Sequence, residues 1–139
     1  MTLVGFYVVQ AAGEEQRLQV AARLTDKAFG RGHRVFINAA SETQARQLDA
    51  LLWSFRPTSF LPHALQGEEH GEQIAIGWGQ DPGDHNDLLI NLQLDIPAFF
   101  SRFQRVAEVV TQDDDSITAL RKSWKFYKDR GYDLEKHDL

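Results

Sequence analysis

The alternation of strand and helix patterns in the first third of the chain constrains the fold most. The run LVGFYVV at 3–9 is β-branched and aromatic without polar alternation, as in a strand buried on both faces. Apolar residues then recur every three or four positions over 14–29, a helical period that GRGH ends. HRVFINA at 33–39 predicts a second strand, and Ser41 with Gln44 predicts the capping box of a second helix. This order predicts parallel βαβ units with right-handed crossovers.

The rest of the chain adds further strand patterns and a terminal helix. Strand patterns recur at 73–78, 87–92 and 105–111, and IPAFFSRF between the last two predicts a short helical turn. A helix is predicted from Asp113, with acids in its first turn, to a stop at Gly131. We therefore predict one α/β domain over all 139 residues, with a mostly parallel twisted sheet flanked by helices. The expected fold is Rossmann-like, but without a functional dinucleotide loop.

Composition and charge narrow the classes of function. Hydrophobic residues make up 42% and charged residues 25% of the chain, which is typical of a globular protein and not of a disordered one. The formal net charge of −5 argues against direct nucleic-acid binding, except at a local basic patch. The chain has no cysteine, so disulfides and thiolate metal sites are excluded. The N-terminus lacks the basic region of a signal peptide and its apolar run is too short to cross a bilayer, so we expect a cytoplasmic protein without membrane association.

The sequence contains no clear metal, cofactor or catalytic motif. Its five histidines are scattered, and none is spaced from another His, Asp or Glu as in a helical metal motif. The glycine-rich run at 77–83 continues into a turn, whereas a dinucleotide loop must open a helix. We predict no metal and no cofactor. The alternative left open is a nucleotide-binding or hydrolytic enzyme that uses the carboxyl edge of the sheet, near Asp81, Asp84 and Asp87.

The terminal helix is the first candidate binding site. At about 100° per residue, Arg121, Lys125 and Lys128 fall on one face within an arc of roughly 60°. Trp124 lies on the seam between this basic stripe and the face predicted to pack on the core. Such a surface suits a ligand that is both acidic and apolar. The alternative is structural: cations near a helix end offset the macrodipole, and Trp124 could belong to the core.

The second candidate is the stretch that follows the second helix. Residues 53–73 contain two prolines and no clean period, so we predict an irregular segment. Trp53, Phe55 and Phe60 crowd its start, where they either cover the edge of the sheet or form the apolar anchor of a protein interface.

Motifs along nearly the whole chain resemble one known family. In chain order they are FYVV, GHRVFI, QLDALLW, SFLPHALQGE, IAIGW, DLLINL, EVV and WKFYKDRGYDL. The most specific feature is LLW seven residues ahead of FLPH, followed in order by DLLINL and the aromatic and basic helix. The chain resembles the chi subunit family of bacterial DNA polymerase III, accessory proteins of the clamp-loader complex.

This resemblance implies a non-catalytic replication adaptor whose nucleotide-binding-like fold is not used for nucleotides. Chi-like proteins pair with the small psi subunit and bind the acidic C-terminal tail of the single-stranded-DNA-binding protein, which ends in a phenylalanine carboxylate preceded by aspartates. The resemblance assigns the tail site to Arg121, Trp124, Lys125 and Lys128, and the psi site to Trp53, Phe60 and Pro62. It leaves open whether a helicase competes with psi for the surface around Trp53.

Two positions depart from the family pattern. The family usually has Tyr where Trp124 stands, a change that keeps an amphipathic ring. Ile117 and Thr118 occupy the first turn of the helix, where close relatives have a basic residue. The second departure predicts a lower affinity for the acidic tail.

Overall fold

The computed structural model describes residues 1–55, 63–65 and 73–139. These residues form seven strands, three α-helices and one short 3-10 helix, Phe100–Arg102. The strands are β1 (Leu3–Val8), β2 (Val35–Asn38), β3 (His63–Leu65), β4 (Ile74–Gly77), β5 (Leu88–Asn91), β6 (Arg105–Val110) and β7 (Asp133–Asp138). The helices are α1 (Glu14–Gly30), α2 (Glu42–Phe55) and α3 (Asp114–Asp129).

The strands form one sheet in the order β3-β4-β2-β5-β6-β1-β7. Each strand pair among the described residues is parallel. Helices α1 and α2 pack on one face of this sheet and α3 packs on the other. The predicted α/β fold with a parallel, Rossmann-like sheet flanked by helices is therefore confirmed. None of the helices in the described ranges is long and apolar enough to span a membrane.

The two faces of the sheet have different cores. The face under α1 and α2 is aliphatic, with Ile37, Leu48 and Ile76 fully buried. The face under α3 is rich in aromatic residues, including Phe6 and Tyr127. Burial of each large side chain stabilises the fold by about 1.5–3 kcal/mol relative to its exposure. The aromatic face is the one that carries the basic helix.

The helix signals in the sequence correspond to real caps. Ser41 Oγ accepts a hydrogen bond from the backbone N–H of Gln44 at 3.1 Å, directly before α2. Asp113 accepts one from the backbone N–H of Ser116 and caps α3. Gly131 has φ +79°, and its N–H bonds to the carbonyl of Lys128, so α3 stops where predicted.

Two strands were not predicted. β3 lies within the stretch predicted to be irregular, and β7 follows α3 where no strand was expected. The β7 sequence DLEKHD is almost entirely polar, so it lacks the hydrophobic pattern by which strands are recognised. Its backbone pairs with β1 from Asp133 opposite Leu3 to Asp138 opposite Val8. Its charged side chains protect an edge of the sheet from pairing with another chain.

The glycine-rich run after β4 behaves as predicted. The next element after Gly77 is β5, and no helix starts in the described residues between them. Gly79 donates its N–H to Asn38 Oδ1 at 3.2 Å, and Gly83 donates to Asp81 Oδ1 at 2.8 Å. Both glycines have positive φ, which fits a pair of turns.

Candidate functional site

The C-terminal half of α3 is fixed to the sheet by aromatic packing. Tyr127 is fully buried, and its ring makes edge contacts with Phe100 at 5.3 Å and Phe6 at 6.0 Å between centroids. Tyr127 Oη donates a 2.8 Å hydrogen bond to Glu108 Oε2 on β6. These contacts fix the rotation of the helix, so the opposite side chains project from a rigid support.

Cations dominate the exposed side of this half of α3. Five of the ten residues from 121 to 130 are Lys or Arg, and Asp129 is the one acid among them. Arg121, Lys125 and Lys128 are all exposed. Lys125 Nζ lies 2.8 Å from Asp129 Oδ2, so its charge is partly compensated within the helix. No ion pair among the described residues involves Arg121 or Lys128.

A groove lies beside this basic surface. It has a volume of about 350 Å³ and is lined by Leu120, Arg121, Trp124 and Lys136. Trp124 is half-buried, and its ring packs 5.2 Å from that of Phe6 on β1. One part of the indole therefore rests on the core while another faces the groove. The groove combines an aromatic wall with two cations from different elements.

Lys136 reaches the groove because of the register of β7. It pairs with Phe6 in the β1 ladder, and adjacent paired residues project to the same face of a sheet. That face also carries α3, so Lys136 meets Trp124 from below the helix. Its Nζ lies 3.6 Å from Asp138 Oδ1 on the same strand.

The structure brings together only part of the set of residues proposed for tail binding. Arg121 and Trp124 share the groove, whereas Lys125 and Lys128 lie outside its lining on the adjoining surface. Lys136 was missed, because the polar sequence of β7 gave no strand signal. The Lys125–Asp129 pair, in contrast, could have been foreseen from the i,i+4 spacing.

Trp53 forms a separate exposed aromatic surface. Trp53 is 54% exposed near the end of α2, and its ring centroid lies 4.6 Å from that of His63 on β3. His63 is itself buried, with Nε2 3.2 Å from Asp49 Oδ1. The other two residues proposed for this surface, Phe60 and Pro62, lie outside the described residues. Trp53 is on the opposite face of the sheet from Trp124, because α2 and α3 cover different faces.

The three acids considered for an enzyme site are not assembled. Asp81 bonds Arg102 at 2.9 Å, a contact that lowers the pKa of its carboxyl group. Asp84 lies 3.3 Å from Arg34, and Asp87 lies 3.0 Å from His33. The placement of Asp87 near the carboxyl edge was wrong, because Asp87 directly precedes β5 and lies at the amino edge. In the described part of the chain, no three His or acidic residues are grouped as metal ligands.

The carboxyl edge at β1 and β6 is filled by Arg17. In open α/β sheets ligands bind in the crevice where crossovers diverge, here between α1 and α3. The buried guanidinium of Arg17 donates to Thr111 Oγ1 at 2.6 Å and Ser116 Oγ at 2.7 Å. It also lies 3.5 Å from Glu14 and 3.6 Å from Asp113. An internal ion cluster thus occupies the position where related folds receive phosphate.

Glu108 is the most perturbed acid of the described chain near this region. Its carboxylate lies in the sheet between Tyr127 and Asn91, which donates from Nδ2 to Oε1 at 2.9 Å. Burial raises the pKa of Glu108 from 4.5 to about 7, although both hydrogen bonds oppose the shift. Burial, together with the adjacent Glu108 carboxylate, raises the pKa of the Tyr127 phenol above its usual range. Asn91 Oδ1 accepts from Asn38 Nδ2, so the polar network spans β2, β5, β6 and α3.

The motifs and the geometry agree with a family comparison. The model of the family described as DNA polymerase III chi subunit, HolC, matches residues 1–135. The chain belongs to the DNA polymerase III chi subunit family. Membership of the chi family gives it an accessory role in DNA replication.

Curated chi relatives match over most of their length. The DNA polymerase III subunit chi of Pseudomonas aeruginosa is 45% identical over 139 residues, which cover 100% of this chain and 98% of that protein. The subunit of the same name from Haemophilus influenzae is 34% identical over 124 residues, covering 87% of this chain and 86% of that protein. The one from Escherichia coli is 31% identical over 119 residues, covering 84% and 81%.

Proposed function

We propose that the protein is a non-catalytic replication adaptor of the cytoplasm. In this proposal the groove on α3 binds the acidic C-terminal tail of the single-stranded-DNA-binding protein. The surface around Trp53 pairs with the psi subunit, which links the tail to the clamp loader of DNA polymerase III. The observation that carries the tail-binding proposal is the convergence of Arg121, Trp124 and Lys136 on one groove.

The groove is complementary to a chain end that is both anionic and aromatic. Arg121 can form a forked pair with the terminal carboxylate. The terminal phenyl ring can pack on Trp124 and Leu120, whose apolar surface faces the groove. Lys136 on one side, and Lys128 further along α3, can meet the preceding aspartates. Lys136 also supplies a cation on the groove, whereas the first turn of α3 has Ile117 and Thr118 where a basic residue was expected.

The expected affinity is modest. Charge-assisted hydrogen bonds contribute roughly 1.5–3 kcal/mol each, and burial of a phenyl ring contributes a similar amount. Ordering a flexible tail offsets part of this gain, so we expect a dissociation constant near micromolar. Because much of the attraction is between exposed charges, binding should weaken as salt is added.

The direct test is a titration with two synthetic peptides. One ends in aspartates and a phenylalanine carboxylate, and the other has the same sequence with a C-terminal amide. We expect calorimetric binding of the first peptide and at least about tenfold weaker binding of the second, because the amide removes the charge that Arg121 would pair. Equal affinities would argue against this orientation of the peptide.

Replacing Lys136 by alanine should weaken binding of the acid-ended peptide about two- to tenfold. The variant removes one exposed charged contact worth about 0.5–1.5 kcal/mol. Arg46→Ala is the matched control, because Arg46 is an exposed cation on α2 that lies on the other side of the sheet. Fluorescence anisotropy of a labelled peptide would measure both. An equal loss in the two variants would indicate a nonspecific charge effect and not a groove contact.

Replacing Trp53 by alanine should impair psi binding while sparing the tail peptide. Interface tryptophans typically contribute 2 kcal/mol or more, so we expect a loss of about thirtyfold or greater in psi affinity. Trp53 and Trp124 lie on opposite faces of the sheet, so the two functions should separate. Co-purification with psi and peptide titration would measure them side by side. Loss of both activities together would contradict a protein with two independent surfaces.

The adaptor proposal is preferred to an enzyme because of what fills the carboxyl edge. Arg17 and its partners occupy the crevice. The first turns of α1 and α3 and the N-cap of α3 also carry five acids: Glu14, Glu15, Asp113, Asp114 and Asp115. That charge repels phosphate from the two helix N-termini that would otherwise attract it. Titration with ATP and Mg²⁺ should therefore give no saturable amide chemical shift changes at the N-termini of α1 and α3. Saturable changes at those positions would favour the nucleotide-binding alternative.

A further inference from the structure

A second basic feature lies on the opposite face of the sheet from α3. It is a cavity of about 160 Å³ between the C-terminal end of α1 and the amino ends of β5 and β6. Lys27 and Arg31 enter it from α1, and Arg105 enters from β6. Leu24 and Leu88 contribute apolar walls. The cavity therefore combines three cations with an apolar interior in a chain whose net charge is −5.

The acid in the cavity lining is already engaged. Asp87 Oδ2 lies 3.0 Å from His33 Nδ1 and accepts a 3.1 Å hydrogen bond from the backbone N–H of Arg34. Arg105 lies 3.5 Å from Glu135 through one terminal nitrogen, which leaves its other N–H groups available. Among the described residues, Lys27 and Arg31 have no ion-pair partner. The cavity lining therefore carries three cations and one acid, Asp87.

Compensation of the helix dipole accounts for only part of this arrangement. Lys27 and Arg31 lie at the C-terminal end of α1, where cations are favourable for any helix. Neither cation is needed as a hydrogen-bond donor to Ala28, whose carbonyl accepts from the backbone N–H groups of Arg31 and His33. Arg105 belongs to β6, so the dipole of α1 does not explain its presence. Cations from two separate elements face one space.

Tyr7 gives the cavity an aromatic wall in a fixed orientation. Its ring lies over Gly5, where a Cβ atom would stand only 3.1 Å from the ring. The ring of His137 on β7 stacks on it at 4.6 Å with an interplanar angle of 14°. Tyr7 thus packs against Gly5 and His137, and it borders the cavity.

We propose that this cavity binds a small anion that bears a phosphate group and an apolar or aromatic substituent. Guanidinium groups form forked hydrogen bonds with phosphate oxygens, and three cations suit a dianion better than a single carboxylate. The volume is below the roughly 300–1,000 Å³ of pockets that enclose drug-sized ligands, so the ligand is small or projects outward. The apolar walls and Tyr7 accommodate the substituent. This site is independent of the groove on α3.

Calorimetric titration with phenyl phosphate, inorganic phosphate and benzoate at low ionic strength tests the proposal. We expect phenyl phosphate to bind with a dissociation constant in or below the millimolar range, and both other probes to bind about tenfold or more weakly. The double variant Lys27→Gln, Arg31→Gln should lose about tenfold or more of this affinity. Arg46→Gln, which changes an exposed cation on α2, should not. Both variants alter exposed side chains, and thermal unfolding would verify that they remain folded.

Amide chemical shifts would locate the bound anion. Saturable shifts at His33, Leu88 and Arg105 support the proposal, and binding should persist in the Arg121→Ala variant. No saturable binding of phenyl phosphate, or shifts confined to Arg121 and Trp124, would overturn it. Equal binding of benzoate would overturn the preference for phosphate. Because tail binding is measured with a peptide on the other face, failure of this proposal leaves the adaptor proposal intact.

Discussion

Replacing Arg121 by alanine is expected to reduce affinity for the acidic tail peptide by about ten- to a hundredfold. A forked pair between guanidinium and carboxylate is worth roughly 1.5–3 kcal/mol, which corresponds to that range. Arg121 is exposed and lines the groove, and no ion pair of the described residues depends on it. The free energy of unfolding should therefore change by less than about 0.5 kcal/mol.

The neighbouring Lys122 provides the matched control. It is also exposed on α3, but it points about 100° away and lines a different cavity, next to Leu94 and Phe126. Lys122→Ala should leave peptide affinity within about threefold of the parent protein, since only long-range attraction is lost. Fluorescence anisotropy at two salt concentrations would compare the variants. If Lys122→Ala weakened binding as much as Arg121→Ala, the helix would act as a diffuse positive surface and not as a groove.

A loss of stability in Arg121→Ala would point to a structural role for this side chain. A fall of several degrees in its melting temperature would indicate that the guanidinium stabilises α3, as the dipole explanation holds. Arg121→Lys separates these possibilities further. Lysine keeps the charge at the helix but loses the fork, so it should preserve stability while still weakening binding of the carboxylate.

The sequence was sufficient to predict α3 because its signals are local. Asp113 caps the helix, Gly131 ends it, and the period between them separates Tyr127 from Arg121. Each of these features depends on residues within a few positions of one another. The half-buried setting of Trp124 follows from the same period, because its position lies between the two faces.

Lys136 could not be predicted in the same way. Its place in the groove depends on β7 pairing with β1, a contact between residues more than a hundred positions apart. The polar sequence of β7 gives no sign of that pairing, because the segment is placed in the sheet by its backbone pairing with β1. The cavity bordered by Tyr7 and Arg105 is a similar case, because its lining comes from α1, β1, β5 and β6.

Glu108 shows another limit of sequence reasoning. The run RVAEVVT predicts a strand, and the strand exists, but the pattern does not indicate how a carboxylate is accommodated within it. The structure supplies the answer in Tyr127 and Asn91, which approach from α3 and β5. The helix that presents the groove is therefore linked to the sheet through a titratable group.

Replacing Glu108 by glutamine is expected to remove a large pH dependence from the stability of the protein. Burial raises the pKa of Glu108 to about 7 in the folded state, whereas an unburied glutamate has a pKa of 4.5. Below pH 4.5 both states hold the proton, so the stabilising contribution is fully present. As pH rises towards 7, the unfolded chain releases the proton more readily than the folded protein. Stability therefore falls by about 3 kcal/mol in total.

Glutamine imitates the protonated carboxyl group, because it is neutral and its amide can donate to Tyr127 Oη while its oxygen accepts from Asn91. Between pH 5 and pH 8 the parent protein should lose about 2–3 kcal/mol relative to Glu108→Gln, whose other groups titrate alike. Urea unfolding at several pH values would measure this difference. Tyr127→Phe should raise the pKa of Glu108 further, because this variant lacks the phenol hydrogen bond that lowers it. A gap between parent and Glu108→Gln that stayed constant with pH would mean that Glu108 is ionised at no unusual cost.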